Sequence, residues 1–336
     1  MLSLANRCSR VKEKDNFEQM KVAIVGGGVI GCAVAERLSR DGHRVTLYER
    51  DHLGAHASGA AAGLLAPYSE LKGEDLGSRS ARLFPDLSAR LERDTGIAVE
   101  YRRTQSLAVA FDTAQRRSLR GLGHWQDTSE CLALEPGLSP EVLGAVLLEE
   151  SHINPPRFVL ALARSAAAAR ADIREGSPVA TLAGLRADRV VLAAGPWSST
   201  LAEVPVVPRR GQLVALRPTR AVLTRIVTWG SFYLVPKLDG TIVVGSTEEE
   251  VGFDARPTAA GVSTLLDVAQ LVVPALRTAI LERVWAALRP ATPDGRPIIG
   301  PLAGEERVVV ATGHNRNGIL LAPVTAELVA NLLAKS

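Results

Sequence analysis

The chain has 336 residues, 46% of them hydrophobic and 22% charged, with a formal net charge of +3. That length fits one large domain or two intertwined ones, and that composition supplies a sizeable core and argues against a disordered chain. The small positive surplus forms no Lys/Arg stripe and aromatics are 4%, so neither a nucleic-acid face nor a base-stacking platform is indicated. Cys8, Cys32 and Cys131 form no CxxC or metal spacing. They predict free thiols, a reducing, cytoplasmic setting and no metal site. No apolar run reaches the ~18 residues of a membrane span. Phe158 to Ala171 comes nearest, and Arg164 and Arg170 interrupt it.

Residues 1–19 are polar and lack a signal-peptide core, so they read as an unstructured leader, with Met20 a natural start. Lys21 to Val25 (KVAIV) is a short β-branched run, the pattern of a buried parallel strand. Three glycines lead into a helix through about Arg40, which Asp41-Gly42 ends. Arg44 to Glu49 is the next strand, completing a strand–helix–strand unit of βαβ size. The small residues of 57–67 read as a loop able to press on a ligand. Residues 78–96 read as helix, with Leu83, Leu87 and Leu91 at helical spacing, and 99–112 as strand. Pro155 and Pro156 precede a helix from about Phe158 to Ala169, and Asp188 to Ala194 is a buried strand ending at Gly195. Residues 206–250 carry several strands, with turns at Arg210-Gly211 and Asp239-Gly240. A helix over 258–280, strands over 283–288 and 306–312 and a helix over 318–334 complete the chain.

Gly26, Gly28 and Gly31 form G-x-G-x-x-G between the first strand and the first helix. The first allows the tight turn, the second lets backbone approach a pyrophosphate, and the third lets helix pack on strand. The helix N-terminus then offers partial positive charge to the phosphates. Glu49 ends the second strand, where an acid takes a ribose hydroxyl. A lone fingerprint is weak, and a ligand-free glycine turn is its bland alternative. Strand, helix, strand and terminal acid together favour a dinucleotide.

Beyond the fingerprint, the chain resembles the D-amino-acid oxidase superfamily of flavoproteins, most of all glycine oxidases of the thiazole-biosynthesis type. The resemblance runs from about residue 20 to the C-terminus. It rests on VAIVGGGVIG (22–31), YER (48–50), ASGAAAGLLAP (57–67), VVLAAGPWS (190–198), LRPATPDGRPIIGP (288–301) and GHNRNGILLAP (313–323). It implies an α/β (α+β overall) fold, a Rossmann-like FAD-binding domain with an inserted, mainly antiparallel substrate domain. The expected cofactor segments are 20–90, 146–205 and 290–336, and the expected substrate segments are 91–145 and 206–289. The implied cofactor is non-covalent FAD, since no Cys lies in the C-terminal third, where sarcosine oxidases attach flavin. Its expected contacts are Gly26, Gly28, Ile30, Gly31, Glu49, Arg50, Ser58, Ala61, Gly63, Leu64, Val179, Ala194, Gly195, Trp197, Gly313, His314, Arg316, Asn317, Gly318 and Ile319. Asn317-Gly318 opens the last helix, whose free N–H groups suit the anionic pyrimidine end of a reduced flavin. Ser58 reads equally as a phosphate donor or as plain loop chemistry, and His314 as a flavin neighbour or a satisfied loop histidine.

The implied activity is oxidation of glycine, or of sarcosine or a small D-amino acid, by hydride transfer to flavin N5, with O2 reduced to H2O2. Such chemistry asks the protein mainly for orientation. By the resemblance Arg289 anchors the substrate carboxylate in bidentate fashion, Tyr233 hydrogen-bonds it and Arg316 borders the site. Read from the residues alone, Arg289 is more often a surface or bridging arginine, and Tyr233 is equally a half-buried strand aromatic. Two departures stand out. Ser231 occupies a place where some glycine oxidases carry His, and the stretch from Ile173 to Asp188 is short. A dehydrogenase for other amines and a non-catalytic flavin protein are the rival readings. Thiamine biosynthesis is implied by the resemblance, and a homo-oligomer is left open.

Overall fold

The computed structural model describes residues 19–68 and 75–335. The expected leader lies outside the described residues except for Gln19, whose amide donates to the Gly42 carbonyl at 2.8 Å. Cys8 lies outside them too.

The chain opens with β1 (Lys21–Val25), α1 (Val29–Arg40) and β2 (Arg44–Tyr48), the predicted βαβ unit. A four-residue helix α2 (Ala57–Ala60) and a short strand β3 (Leu64–Leu65) follow, where the small residues had suggested loop alone. Next come α3 (Asp75–Thr95) and β4 (Arg102–Ala110), both near their predicted bounds. Four further elements, α4 (Thr113–Ser118), β5 (Trp125–Asp127), α5 (Thr128–Leu134) and β6 (Gly144–His152), occupy a stretch with no predicted assignment. Pro155 sits in the first turn of α6 (Pro155–Ala168) and the Asn154 side chain caps it, which fixes the start earlier than Phe158. After β7 (Asp172–Arg174) and β8 (Arg189–Leu192) come β9 (Val207–Arg217), β10 (Ile226–Trp229), β11 (Phe232–Pro236) and β12 (Ile242–Gly245). The chain ends with α7 (Ala259–Val272), β13 (Ile280–Ala291), β14 (Ile298–Leu302), β15 (Glu305–Thr312) and α8 (Gly318–Ala334).

Six strands form one sheet in the order β14-β15-β8-β1-β2-β7. All its pairs are parallel except β14 with β15. Parallel strands covered on both faces need apolar residues on both, which is why β1 and β8 read as unbroken apolar runs. On one face Ile24, Leu47 and Val309 pack against α1, α3, α6 and α8 through Cys32, Phe84, Phe158, Leu162 and Val329. On the other, Val25, Val190 and Leu192 meet Leu182, from the connection before β8, and Leu201, from the connection after it.

The second sheet has the order β13-β9-β12-β11-β10-β4-β6-β3, with β5 on β6. Its pairs are antiparallel except β10 with β4. Alternation splits its side chains between two faces. Val214, Leu216, Leu234 and Val244 pack beneath α7 with Leu265, Val268 and Val272. Leu213, Tyr233, Val235, Val243 and Trp285 take the opposite face, with Ala62 and Leu64.

Several expectations need correction. The Arg210-Gly211 turn does not exist, since both residues lie within continuous β9, paired to β13. The strand expected over 283–288 runs from Ile280 to Ala291, so Arg289 is inside a strand and not at its end. The helix expected over 258–280 stops at Val272, and a separate 3-10 turn covers Pro274–Thr278. β6 extends through the expected boundary at 145/146 and stays in the larger sheet to His152; β3 joins that sheet as well. The last helix is longer and more apolar than expected. Asn315–Ala334 is long and apolar enough to cross a membrane by length and composition. Here it packs in the core, with Leu320, Leu321, Ala322 and Val329 almost fully buried.

Candidate active site

A large cleft runs between the two sheets and encloses about 1750 Å³, its open mouth included. One wall is formed by the carboxyl ends of β1 and β8 with the first turns of α1 and α8. The other is the face of the larger sheet that carries Tyr233, Leu213, Ala287 and Arg289.

The fingerprint turn is shaped for close approach. Gly26 has φ +112°, and a Cβ there would lie 2.3 Å from the Ala193 carbonyl oxygen, so only glycine lets β1 turn against the end of β8. A Cβ on Gly31 would stand 1.9 Å from the Gly26 carbonyl oxygen, which explains the third glycine as a packing requirement. Gly31 and Gly313 do not line the cleft; the remaining expected cofactor contacts all do. The first turn of α1 holds no acidic side chain of its own, and the nearest carboxylate at its start is that of Glu49, bonded to Gly27 N. Ser58 Oγ accepts from Val29 N at 2.9 Å, and a Cβ on Gly28 would lie 3.1 Å from that oxygen. Ser58 thus belongs to the cradle itself. Glu49 is buried and accepts from Gly27 N at 2.7 Å and Asp51 N at 2.8 Å. A carboxylate has about four acceptor positions, so it can pin this loop and still receive a ligand hydroxyl.

At one end of the cleft the Arg50 guanidinium lies 3.7 Å from the Trp197 ring centre and pairs with Asp51 at 2.8 Å. His56 also meets Asp51 at 2.8 Å, and hydrogen bonds from His56 and then Arg50 hold the Asp51 carboxyl below its ordinary range. Phe253, from the connection after β12, stacks on Trp197 with centroids 5.8 Å apart. Arg50 and Trp197 are distant in sequence and no motif links them, so their union was not legible. His56, Asp51 and Phe253 were missed for the same reason.

The Ala60–Leu64 segment is tied to the larger sheet by two groups that no motif flagged. Trp285 Nε1 donates to the Ala60 carbonyl at 2.9 Å, and Lys237 Nζ donates to the Ala62 carbonyl. Burial brings the Lys237 ammonium down to about 8.

At the other end Arg289 on β13 and Tyr233 on β11 lie on the cleft face of the larger sheet, with β9 and β12 between their strands. Each is seated over a glycine. A Cβ on Gly211 would lie 2.2 Å from Arg289 Nη2, and one on Gly245 would lie 2.7 Å from the Tyr233 hydroxyl oxygen. Arg289 Nη1 donates to the Thr247 carbonyl at 3.1 Å and Nη2 to the Ser246 hydroxyl. The phenol over Gly245 and the guanidinium bonded to Ser246 are therefore neighbours, although 56 positions separate them in sequence. Arg316 Nη2 donates to the Ser231 carbonyl at 2.9 Å, and its guanidinium carbon sits 5.9 Å from the Tyr233 ring centre. The structure thus brings Arg289, Tyr233 and Arg316 to one cleft, together with Ser246, Leu213 and Ala287, which carried no sequence signal. His314 is fully buried, its Nε2 lies 2.9 Å from Thr325 Oγ1, and burial alone lowers it to about 3. It is a neutral staple on the start of α8, the satisfied-histidine alternative, although it also touches the cleft.

The family model for DAO, FAD dependent oxidoreductase, matches residues 21–332. The chain belongs to that family. A glycine oxidase of Geobacillus kaustophilus is 34% identical over 349 residues, covering 94% of this chain and 93% of that one. The crystal structure of glycine oxidase from Geobacillus kaustophilus superposes with a TM-score of 0.89 at 32% identity, covering 95% of each chain. The bifunctional protein ThiO/ThiG of Trichormus variabilis is 33% identical over 94% of this chain, but the chain spans only 52% of that relative's length. The DAO-family cofactor is FAD, and the cleft fits it. The glycine cradle that a Cβ would fill, the start of α1 and the buried Glu49 would hold its diphosphate and ribose, and the start of α8 would face its ring.

Proposed function

We propose that this chain is an FAD-dependent amine oxidase acting on glycine, releasing the imine that water converts to glyoxylate and ammonia, with O2 taking the electrons. The observation that carries this reading is the pairing of Arg289 and Tyr233 on one sheet face of the cleft whose other wall is the dinucleotide cradle. FAD, when bound, supplies the two-electron acceptor. Arg289 takes the substrate carboxylate through its planar fork, and Tyr233 donates its hydroxyl to the same group. Arg316 borders the same pocket and adds positive charge near that carboxylate. Fixing the carboxylate leaves the small amine end little freedom, which is what orients its Cα–H. In this reading the six-stranded sheet and its helices form the cofactor domain, and the nine-stranded sheet forms the substrate domain.

The test is anaerobic mixing of the holoenzyme with glycine while the visible flavin bands are followed, with sarcosine, D-alanine and D-proline in parallel. Bleaching by glycine at the lowest concentration is expected, and peroxide on admitting air. Bleaching only by a bulkier amine would move the substrate. No bleaching by any of the four, with FAD bound, would sink the proposal.

A further inference from the structure

Arg289 is held from behind, and the groups that hold it reach to the far face of the larger sheet. Its Nη1 donates to the Thr247 carbonyl at 3.1 Å. The Thr247 side chain bonds elsewhere: its hydroxyl accepts from Gln212 N at 3.0 Å and donates to Glu249 Oε1 at 2.6 Å. The same carboxylate oxygen accepts from Gln212 Nε2 at 2.6 Å, and the other oxygen takes the Arg210 guanidinium. Gln212 is in turn fixed by the start of α7, its Oε1 accepting from Thr258 N at 2.7 Å. Gln212 is fully buried and Arg210 is 4% exposed, while Glu249, which joins them, keeps 28% of its side chain exposed. On β9, Arg210 and Gln212 flank Gly211, whose missing side chain leaves room for the Arg289 guanidinium. Alternation puts the flanking pair on the α7 side and Gly211 on the cleft side. Thr247 thus joins the two faces: its carbonyl meets Arg289, and its hydroxyl belongs to the network of Glu249 and Gln212.

We infer that Thr247 and Glu249 are positioning residues for the substrate carboxylate. The Glu249–Thr247–Gln212 network sets where the Thr247 carbonyl stands and hence where Arg289 points. The inference rests on the proposed role of Arg289 as the carboxylate anchor. A Thr247 hydroxyl with both donor and acceptor partners has one orientation, and losing it frees the peptide that bears the carbonyl.

Thr247→Val deletes the hydroxyl at nearly constant volume. It should raise the KM for glycine roughly five- to tenfold, as loss of hydrogen bonds to a charged network implies. The Kd for acetate, read from the flavin absorption of the holoenzyme, should rise by the same factor, because acetate carries the carboxylate without the amine. The value of kcat should change far less than KM. Thr247→Ser should recover most of the loss. Glu249→Gln, which turns a carboxylate that accepts from Thr247, Gln212 and Arg210 into an amide, should move KM and acetate binding in the same direction. FAD content and the thermal midpoint of each variant check that it is folded, and Glu249→Gln carries the test if Thr247→Val is not. Unchanged KM and acetate binding in Thr247→Val, with both raised in Arg289→Ala, would overturn the inference and leave the anchor standing. Equal impairment by Val and Ser would overturn it as well, since packing would then explain the effect. Unchanged values in Arg289→Ala would remove the anchor itself.

Discussion

The guanidinium of Arg289 occupies the volume that a side chain on Gly211 would fill; a Cβ built on Gly211 stands 2.2 Å from Nη2 and 2.4 Å from Cζ. The colliding atoms are the far end of a long side chain, not backbone. Gly211→Ala should therefore fold and bind FAD much as the parent does, because the guanidinium swings away at modest cost. It should nonetheless raise the KM for glycine roughly tenfold or more, since a hydrogen bond to a charged group contributes about 1.5–3 kcal/mol. Steady-state kinetics beside a thermal melt checks this. A KM within twofold of the parent would mean that Arg289 does not need its seat.

Gly26 makes the opposite case. A Cβ there meets the backbone oxygen of Ala193 at 2.3 Å, and the residue has φ +112°. Neither the neighbour nor the dihedral can yield cheaply, and strain of this kind costs on the order of 1–3 kcal/mol. Gly26→Ala should purify with far less FAD and melt at a lower temperature. Absorbance at the flavin band against protein concentration reads the first effect, and full FAD content would contradict it.

His314 gives a pH dependence with a definite sign. Burial lowers it from 6.5 to about 3, so between those values the unfolded chain binds a proton there that the folded chain does not. Its contribution is complete above pH 6.5 and is lost as pH falls toward 3. His152, brought down to about 4 by burial and then by Lys237 and Arg102, acts in the same direction. The urea midpoint should fall as pH is lowered from 6.5 toward 4, and His314→Gln should flatten that slope. An unaltered slope in the variant would place the acid sensitivity elsewhere.

The flavin should be released on denaturation. Cys32 and Cys131 are buried and neither lines the cleft, so neither described thiol is placed to carry a covalent link. Burial pushes the Cys131 thiol up to about 11 and raises Cys32 further, which keeps both protonated and unreactive at neutral pH. Acid precipitation should leave a white pellet and a yellow supernatant; a yellow pellet would refute this.

Much of the smaller sheet and its cradle was legible in the amino-acid order because the signals there are local. KVAIV, three glycines, a helix and Glu49 lie within thirty residues of one another, and each constraint acts over one or two turns of chain. The apolar pattern of β8 and β15 follows from burial on both faces, which any sequence must meet in the same way. β6 escaped notice because its Glu149, Glu150 and Ser151 break the apolar run, while its pairing with β4 and β3 comes from distant segments. The turn wrongly expected at Arg210-Gly211 failed for a related reason: that glycine answers to Arg289 across the sheet and not to a local bend.

The end of the cleft that carries Arg289 belongs almost wholly to the tertiary structure. Arg289, Tyr233 and Arg316 could be named from motifs, yet strand pairing and the packing of the turn before α8 decided that they share a pocket, and that Ser246 and Thr247 hold the first of them. The Arg50–Trp197 stack and the ties from Lys237 and Trp285 to the Ala60–Leu64 segment likewise join residues more than a hundred positions apart. Sequence by itself determined which stretches bury which faces, because periodicity and glycine geometry are properties of short segments. Which side chains face one another across the cleft was decided only when two sheets, assembled from interleaved segments, closed on each other.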